Sequence, residues 1–483
     1  MRRPASIAAA AFLYVVAAAV GTAHAFDTNV ADVRGGEPEI AVSPAEPSEV
    51  VVAYGNGANG DGVGVAFSRD HGTTWQSAKA PSFGLADPFV TADATGRFYA
   101  GAAGNGVGTS GLGAALNTLE VTRSSDGGKT WGPVVTAMGP NADLAPSDGG
   151  LHRGPAPFAS VDRPWATADA ATGTVYVSAV DHSDQSGGTS GPWELNLLAC
   201  KTAVFENPFA DCGRRYVAAS HDHGASWGPA YPMDTPSYPA GFSGGFSGNP
   251  AGAHGVLATA YLSSRAPGGD CRPCVIFETS RDDGRTWAPR LVPGATAYLN
   301  YGIGPVIADP SLVTHKAGYP LLLSDEPYIV VEPYFAADPS RPGRYALMLF
   351  NKRQTKLLVY VTHDSGRTWS QPASIGQDDV HPRERPWMAY GPSGALGVMY
   401  RTDYEDGSYD AWAAVSPKGD ASFLSPVRLS SAKAAPPPNQ DSNDDASYVA
   451  LDAQYLHASW GDMRPRDQIE PWYGRYRFSA AAP

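Results

Sequence analysis

The motif S-x-D-x-G-x-T-W decides the fold of this chain, and its first copy reads Ser68-Arg-Asp70-His-Gly72-Thr-Thr-Trp75. Each residue type suits a tight β-turn, because the Asp accepts backbone N–H groups, the Gly adopts a positive φ and the hydroxyls close the local network. The Trp then begins the next strand as a large apolar side chain. Four further copies start at Ser124, Ser220, Ser280 and Thr362. Five copies at intervals of tens of residues are an internal repeat.

A second repeat gives the number of units. A strand rich in small residues recurs, usually after a charged residue and a proline, and a second strand follows each copy after a short turn. The copies are Glu37–Val42, Asp87–Ala92, Arg163–Ala168, Glu326–Val331, Arg385–Ala389 and Ala446–Leu451, with a degenerate copy near Tyr238 to Phe246. With the strands on either side of the Trp motif, each unit has four antiparallel strands, which is one blade of a β-propeller.

The pattern therefore predicts an all-β protein with a single propeller of seven blades. The motif turns would lie between the third and fourth strands of the blades. The last unit is one strand short, and Asn29 to Val33 could supply that strand and close the ring. Ring closure by a terminal strand removes free sheet edges.

The motif resembles the Asp-box, or BNR repeat, and the chain resembles the sialidase superfamily of β-propellers, of a secreted bacterial type. The resemblance covers the whole chain as a repeat architecture. It implies a propeller with the motif turns at the blade periphery, away from the active face. True sialidases have six blades, so six is the alternative to seven.

The N-terminus has the features of an export signal. Met1-Arg-Arg3 is followed by an apolar run and by Ala23-His-Ala25, a small-residue cleavage site. We expect a signal peptide over residues 1–25, one propeller domain over residues 26–483, and a secreted or periplasmic protein. The apolar run of this signal is short for a membrane span, and no other apolar run in the sequence could cross a bilayer.

The composition limits the partners. Asp and Glu total 48 against 35 Lys and Arg, a net charge of −13. This acidity argues against nucleic acid or an anionic membrane as a partner. The oligomeric state is left open by the sequence.

The four cysteines predict disulfides in an exported protein, which we assign as Cys200–Cys212 and Cys271–Cys274. The alternative is that Cys271-Arg-Pro-Cys274 is a redox or zinc motif, but no second pair or His cluster lies at ligand spacing.

The candidate binding residues lie where the inner strands begin. Inner strands line the central channel, so Arg163 and Arg385, directly before prolines, should converge on one rim from different blades. Trp165 and Trp387 follow two positions later. Aromatic rings beside Arg side chains suit a polyhydroxylated, anionic ligand, with the rings against sugar faces and the guanidinium groups on a carboxylate. The alternative is that the aromatic residues pack between blades and the charges form rim salt bridges.

The resemblance also implies catalytic roles. Sialidases hold the substrate carboxylate with three arginines, use a Tyr activated by a Glu as nucleophile and use an Asp as acid/base. Their F/Y-R-I-P signature is absent here. The positions that could take these roles are Arg34, Arg163 and Arg385 for the carboxylate, Asp61 as acid/base, Tyr448 as nucleophile, and Glu384 (or Glu326) as its partner.

Two functions of different class follow. The first is a secreted, glycan-directed hydrolase of sialidase type, and the second is a non-catalytic propeller that binds a glycan or protein partner at the same rim. Neither needs a cofactor. Asp403, Asp406 and Asp410 could suggest a calcium loop, but an Asp/Gly-rich hairpin explains the same pattern, and we assign no metal.

Overall fold

The computed structural model describes residues 25–55, 62–104, 117–139, 161–181, 214–235, 237–238, 249–263, 274–295, 333–351, 355–435, 447–464 and 468–478. Within these ranges the side chains of Asp162, Asp181, Arg214, Cys274 and Glu384 fall outside the description. The predicted disulfides lie outside the described residues, since all four cysteine side chains do. No described helix is long and apolar enough to cross a membrane.

The described secondary structure is all β and forms seven four-stranded antiparallel sheets. The first described strand is β1 (Ala25–Asn29), which lies in the last sheet. Blade one contains β2 (Gly36–Val42), β3 (Val50–Gly55), β4 (Val63–Ser68) and β5 (Gln76–Ser77). Blade two contains β6 (Ala86–Ala92), β7 (Phe98–Gly104), β8 (Thr118–Ser124) and β9 (Val135–Met138). Blade three contains β10 (Val161–Ala168), β11 (Val175–Asp181), β12 (Arg214–Ser220) and β13 (Tyr231–Pro232).

The second half of the chain continues the same arrangement. Blade four contains β14 (Ala251–Ala253), β15 (Val256–Ser263), β16 (Cys274–Ser280) and β17 (Ala288–Leu291). Blade five contains β18 (Tyr334–Ala337), β19 (Tyr345–Phe350), β20 (Leu357–Thr362) and β21 (Ala373–Ile375). Blade six contains β22 (Arg383–Tyr390), β23 (Leu396–Asp403), β24 (Tyr409–Ser416) and β25 (Val427–Arg428). Blade seven contains β26 (Ser447–Leu451), β27 (Tyr455–Asp462), β28 (Glu470–Arg477) and β1.

These sheets are the blades of a propeller. The first strand of each blade contacts the first strands of both neighbouring blades, and β2 contacts β26, so the inner strands form a closed ring. The prediction of seven blades is confirmed.

The ring is closed by an N-terminal strand, but this strand is β1, over Ala25–Asn29, and not Asn29 to Val33 as predicted. Residues Ala25 to Asn29 pair with Tyr476 to Trp472 of β28. The strand stops because the Asn29 side chain accepts the Ala31 N–H at 2.8 Å and bends the chain toward blade one.

The five motif turns share one hydrogen-bond pattern. In the first, the Ser68 hydroxyl donates to the Asp70 carboxylate at 2.7 Å and accepts the Gly72 N–H at 2.9 Å. The same carboxylate accepts both the backbone N–H and the hydroxyl of Thr74. Gly72 has a φ of 77° and follows another left-handed residue, His71. The expected roles of Asp, Gly and the hydroxyls are confirmed by this geometry.

The apolar core lies between the faces of neighbouring blades. One cluster joins Leu347 of blade five to Val398 of blade six, and another joins Val51 of blade one to Phe98 of blade two. Of the five motif tryptophans, Trp131 is buried and the other four are half-buried.

The two ends of the propeller differ. We call the end where the inner strands begin the upper end and the opposite end the lower end. Strands alternate in direction, so the third strand of each blade ends at the lower end. The motif turns follow third strands and therefore lie at the lower end. The upper end holds the start of each inner strand and therefore the predicted rim.

Two inner strands differ from the prediction. The strand that pairs with Tyr345–Phe350 is Tyr334–Ala337, which begins at the Tyr of the second of two Glu-Pro-Tyr sequences. The predicted strand Glu326–Val331 lies outside the described residues. In blade four the inner strand is Ala251–Ala253, later than the copy placed near Tyr238 to Phe246.

Candidate functional site

The upper end of the channel carries the same backbone distortion in four blades. Each of these inner strands has a β-bulge, and the bulged residue stands directly before a proline with a left-handed φ of 47° to 50°. The four residues are Glu37, Asp87, Arg163 and Arg385. This conformation is unfavourable for a residue with a side chain, and such strain recurs at functional sites. The distortion fixes the backbone from which four charged side chains leave the rim.

Hydrogen bonds to the Arg163 backbone join the rims of blades two and three. The Asp87 carboxylate accepts the backbone N–H of Arg163 at 3.2 Å. The backbone carbonyl of Arg163 accepts from the guanidinium of Arg215 at 3.0 Å, and Arg215 also donates to the Ser178 hydroxyl at 3.2 Å. These bonds hold the Arg163 backbone on both sides of the bulge.

Arg385 of blade six has a different environment. Its side chain is half-buried, yet it makes no hydrogen bond or ion pair with any residue that the structure describes. Guanidinium groups in partly buried positions are normally paired. Among the described residues, no acidic side chain pairs with Arg385.

Next to this rim, aromatic rings from four blades meet in the channel. The ring centroids of Trp165 and Trp387 are 4.6 Å apart, and Tyr448 lies 5.7 Å from Trp165 and 4.6 Å from Trp387. Tyr334 lies 5.7 Å from Trp387 with an edge-on geometry. We call these four residues the aromatic layer. Its members occupy equivalent inner-strand positions in blades three, five, six and seven.

Hydrogen bonds to backbone carbonyls of neighbouring blades position the aromatic layer. The Trp165 indole N–H donates to the Pro250 carbonyl of blade four at 3.1 Å. The strand that carries Tyr448 pairs it with Ser459, whose hydroxyl donates to the Pro38 carbonyl of blade one. The layer is thus tied to blades on both sides.

Blade one has a carboxyl at the position that is aromatic in those blades. Glu39 is only 2% exposed, and its Oε2 has no partner among the described residues. Burial raises the pKa of Glu39 well above its usual value, and a hydrogen bond from the Val90 backbone N–H counters this only in part. Burial therefore favours the protonated form of Glu39.

The predicted site residues fall into three groups. Arg163, Arg385, Trp165, Trp387 and Tyr448 all lie at the upper end on inner strands, and the last three are in mutual contact.

Arg34 lies on the segment between β1 and β2, and its side chain is exposed. Asp61 is outside the described residues, as is the side chain of Glu384, whose backbone pairs with Arg401.

Two residues of the site had not been assigned a role from the sequence. Tyr334 was missed because the inner strand of blade five was predicted at Glu326–Val331, which begins with the earlier of two Glu-Pro-Tyr sequences. The distance to the Asp338 turn would have identified it, since the aromatic residue stands four positions before the turn in blades two and three also. Glu39 could have been identified from the repeat, because it is an acidic residue at a position that is aromatic in most of the other blades.

Two carboxylates of the acidic hairpin after β23 accept hydrogen bonds from within the hairpin. Asp406 accepts the Ser408 N–H at 3.0 Å, and Asp410 accepts the Tyr404 hydroxyl at 2.8 Å. The described residues contain no group of three or more His, Cys, Asp or Glu that could hold a metal ion.

Similarity to known proteins is found only among solved structures. No family model and no curated protein matches this chain. Among solved structures, the Hadza microbial sialidase Hz136 is 15% identical with a TM-score of 0.45, and the match covers 92% of this chain and 66% of that one. A protein of unknown function from Dyadobacter fermentans is 13% identical with a TM-score of 0.46, covering 94% and 98%.

An intramolecular trans-sialidase from Ruminococcus gnavus is 13% identical with a TM-score of 0.44, and the match covers 83% of this chain and 95% of that one. Similarity at this level does not assign an activity. The functional conclusion therefore depends on the geometry at the upper end of the channel.

Proposed function

We propose that this chain is an exported, sialidase-like propeller that binds an anionic sugar of a glycan or glycoprotein at the upper end of its channel. The observation that carries the proposal is the Arg385 guanidinium, half-buried and without a partner in the described part of the chain, two residues before Trp387 of the aromatic layer. The acidic sequence and the signal-like residues 1–25 support export and an extracellular ligand.

The chemistry of the rim fits this ligand. A sugar carboxylate can accept two parallel N–H bonds from one guanidinium, a geometry that a Lys cannot reproduce. The apolar face of a sugar ring packs against an indole ring while its hydroxyls remain at the wet rim. The bulge fixes the backbone of Arg385 before the ligand arrives, which lowers the ordering cost of binding.

Hydrolysis of the sialidase type is the second candidate, and the position of Tyr448 favours it. The Tyr448 ring contacts Trp387 at the same end of the channel as Arg385. In this mechanism the Tyr448 oxygen attacks the anomeric carbon after Glu384 takes its proton, and Asp61 protonates the leaving oxygen. Water then hydrolyses the glycosyl-tyrosine intermediate. Arg34, Arg163 and Arg385 would share the carboxylate.

Calorimetric titration tests the binding proposal. We expect 3′-sialyllactose to bind and uncharged lactose to bind at least about tenfold more weakly, because charged hydrogen bonds contribute about 1.5–3 kcal/mol. Arg385→Ala should abolish this difference. The matched control is Arg367→Ala, an exposed arginine of a lower-end motif turn, which should bind like the wild type. Equal binding of the two sugars by the wild type would refute the proposal.

Turnover of a fluorogenic sialoside separates the two candidates. Turnover that Tyr448→Phe reduces by 100-fold or more, with binding retained, supports the hydrolase. If the wild type binds 3′-sialyllactose but releases no fluorophore, the chain is a binding protein. Full turnover in Tyr448→Phe would exclude Tyr448 as the nucleophile.

A further inference from the structure

Below the aromatic layer, the central channel contains a separate cavity of about 250 Å³. It begins at Glu39, Trp165 and Trp387 and extends to the turns that follow the inner strands at the lower end, where Pro44 and Pro392 line it. None of the four charged bulge residues lines it. The cavity is thus distinct from the rim to which the proposed function belongs.

Apolar atoms form the larger part of the walls of this cavity. All seven inner strands contribute to it, and alanines supply much of the surface, among them Ala41, Ala92, Ala168, Ala336 and Ala450. Small side chains keep the channel open where larger ones would fill it. Such a lining accepts the apolar body of a small molecule.

Glu39 is the only acidic or basic residue among the described residues that line the cavity. Its carboxyl is buried, and Oε2 has no hydrogen-bond partner among them. A buried polar atom without a partner costs about 1–3 kcal/mol. A ligand that donates a hydrogen bond to Oε2 would remove this cost.

We propose that the cavity binds a small organic ammonium ion with an apolar body. The ammonium group would donate to Glu39 and lie close to the indole rings of Trp165 and Trp387, while the apolar body packs against the alanine walls. Aromatic rings attract a cation through the negative charge of their faces, most strongly when water is excluded. The net charge of −13 adds a long-range attraction for cations.

Other ligand classes fit less well. An anion would meet the Glu39 carboxyl in an apolar cavity. A sugar carries many hydroxyls, and the alanine side chains of the walls offer them no hydrogen bonds. A neutral alcohol could bond Glu39 but would gain nothing from the aromatic rings as a cation does.

Binding of an ammonium ion has a proton signature. In the empty cavity, burial raises the pKa of Glu39 well above its usual value and favours its protonated form. An ammonium ion pairs with the ionised carboxylate, so its binding favours ionisation of Glu39 and releases protons to the solvent. The other titratable lining residue, Tyr390, has its pKa raised by burial and stays neutral. Glu37, on the same strand as Glu39, and Asp87, on the neighbouring strand β6, do not line the cavity.

Isothermal titration with benzylammonium and benzyl alcohol tests the proposal on the full chain. We expect saturable binding of benzylammonium at pH 7, and a binding enthalpy that changes with the ionisation enthalpy of the buffer. Benzyl alcohol should bind at least about tenfold more weakly and show no buffer dependence.

Two variants with the same chemical change complete the test. Glu39→Gln should weaken benzylammonium binding by at least about tenfold and remove the buffer dependence. Glu278→Gln changes another buried glutamate whose pKa is also raised by burial but which lies on β16, away from the cavity. It should bind benzylammonium as the wild type does, and circular dichroism verifies that both variants are folded.

The proposal is overturned by any of three results. These are no saturable binding of benzylammonium to the folded wild type, equal affinity for the alcohol, or undiminished affinity in folded Glu39→Gln. None of them bears on sugar binding at Arg385, which lies on the other side of the aromatic layer.

Discussion

The indole ring of Trp165 on blade three lies 4.6 Å, centroid to centroid, from that of Trp387 on blade six. These blades are on opposite sides of a seven-membered ring, so the contact spans the central channel. It divides the channel into a charged rim above and an apolar cavity below. The two proposed binding sites depend on this division.

A double-mutant cycle of Trp165→Ala and Trp387→Ala should give a coupling of about 0.5–1.5 kcal/mol in the free energy of unfolding, because paired aromatic rings interact beyond their burial. Urea unfolding of the four proteins measures it. A cycle between Trp165 and Trp131, which lies in a core cluster that does not include Trp165, should be additive within about 0.5 kcal/mol. A coupling near zero for Trp165 and Trp387 would mean that the channel contact does not contribute to stability.

Replacing the motif tryptophans should have unequal effects. Trp131 is 9% exposed and its N–H donates to the Gly128 carbonyl at 2.8 Å, so Trp131→Ala should cost about 3–5 kcal/mol. Trp287 is half-buried and donates to the Pro232 carbonyl, and its replacement should cost less. Urea midpoints of the two variants decide this, and equal losses would contradict the role of burial.

The motif carboxylates should stabilise the fold above pH 4 and lose this effect in acid. Hydrogen bonds from the Thr368 hydroxyl and backbone lower the pKa of Asp364 to about 2. Because the folded-state pKa lies below the unfolded value near 3.9, the contribution is present above that value and disappears as the pH falls toward 2. Asp364→Asn should therefore be less stable than the wild type at pH 7 and nearly equal to it at pH 2. A difference in stability that is the same at both pH values would refute this linkage.

The buried Glu278 should have the opposite effect, so that its contribution to stability decreases as the pH rises. Burial, and then repulsion from Asp234, raises the pKa of Glu278 well above its usual value. Stabilisation by the neutral acid is complete below the unfolded pKa near 4.3 and is lost as the pH rises through the folded pKa. Between pH 5 and pH 8 the wild type should lose more stability than Glu278→Gln, as measured by urea unfolding. Parallel pH profiles would show that Glu278 does not titrate in this way.

The repeat architecture could be predicted from the sequence because it is built from local bonds. The turn at Ser68 to Trp75 is closed by hydrogen bonds within eight residues, so the motif itself contains the information. The inner strands were harder to place. Two Glu-Pro-Tyr sequences stand six residues apart, and only pairing with Tyr345–Phe350 identifies the second as the one that leads into the inner strand.

The sequence predicts which residue types form the site, but not the distances between them. The series of residues before and after the prolines pointed to Arg163, Arg385, Trp165 and Trp387, but not to the contacts among them. The distance between Trp165 and Trp387 depends on the diameter of the closed ring, which no local pattern encodes. The left-handed bulges were not predicted either, since a residue before proline is normally extended.

The most direct test of the central claim pairs a change in the ligand with a change in the protein. The affinities of 3′-sialyllactose and of its carboxyl methyl ester are measured by titration calorimetry for the wild type and for Arg385→Ala. If Arg385 binds the sugar carboxylate, the wild type should prefer the acid by at least about tenfold, and Arg385→Ala should bind acid and ester equally. An undiminished preference for the acid in Arg385→Ala would contradict the account.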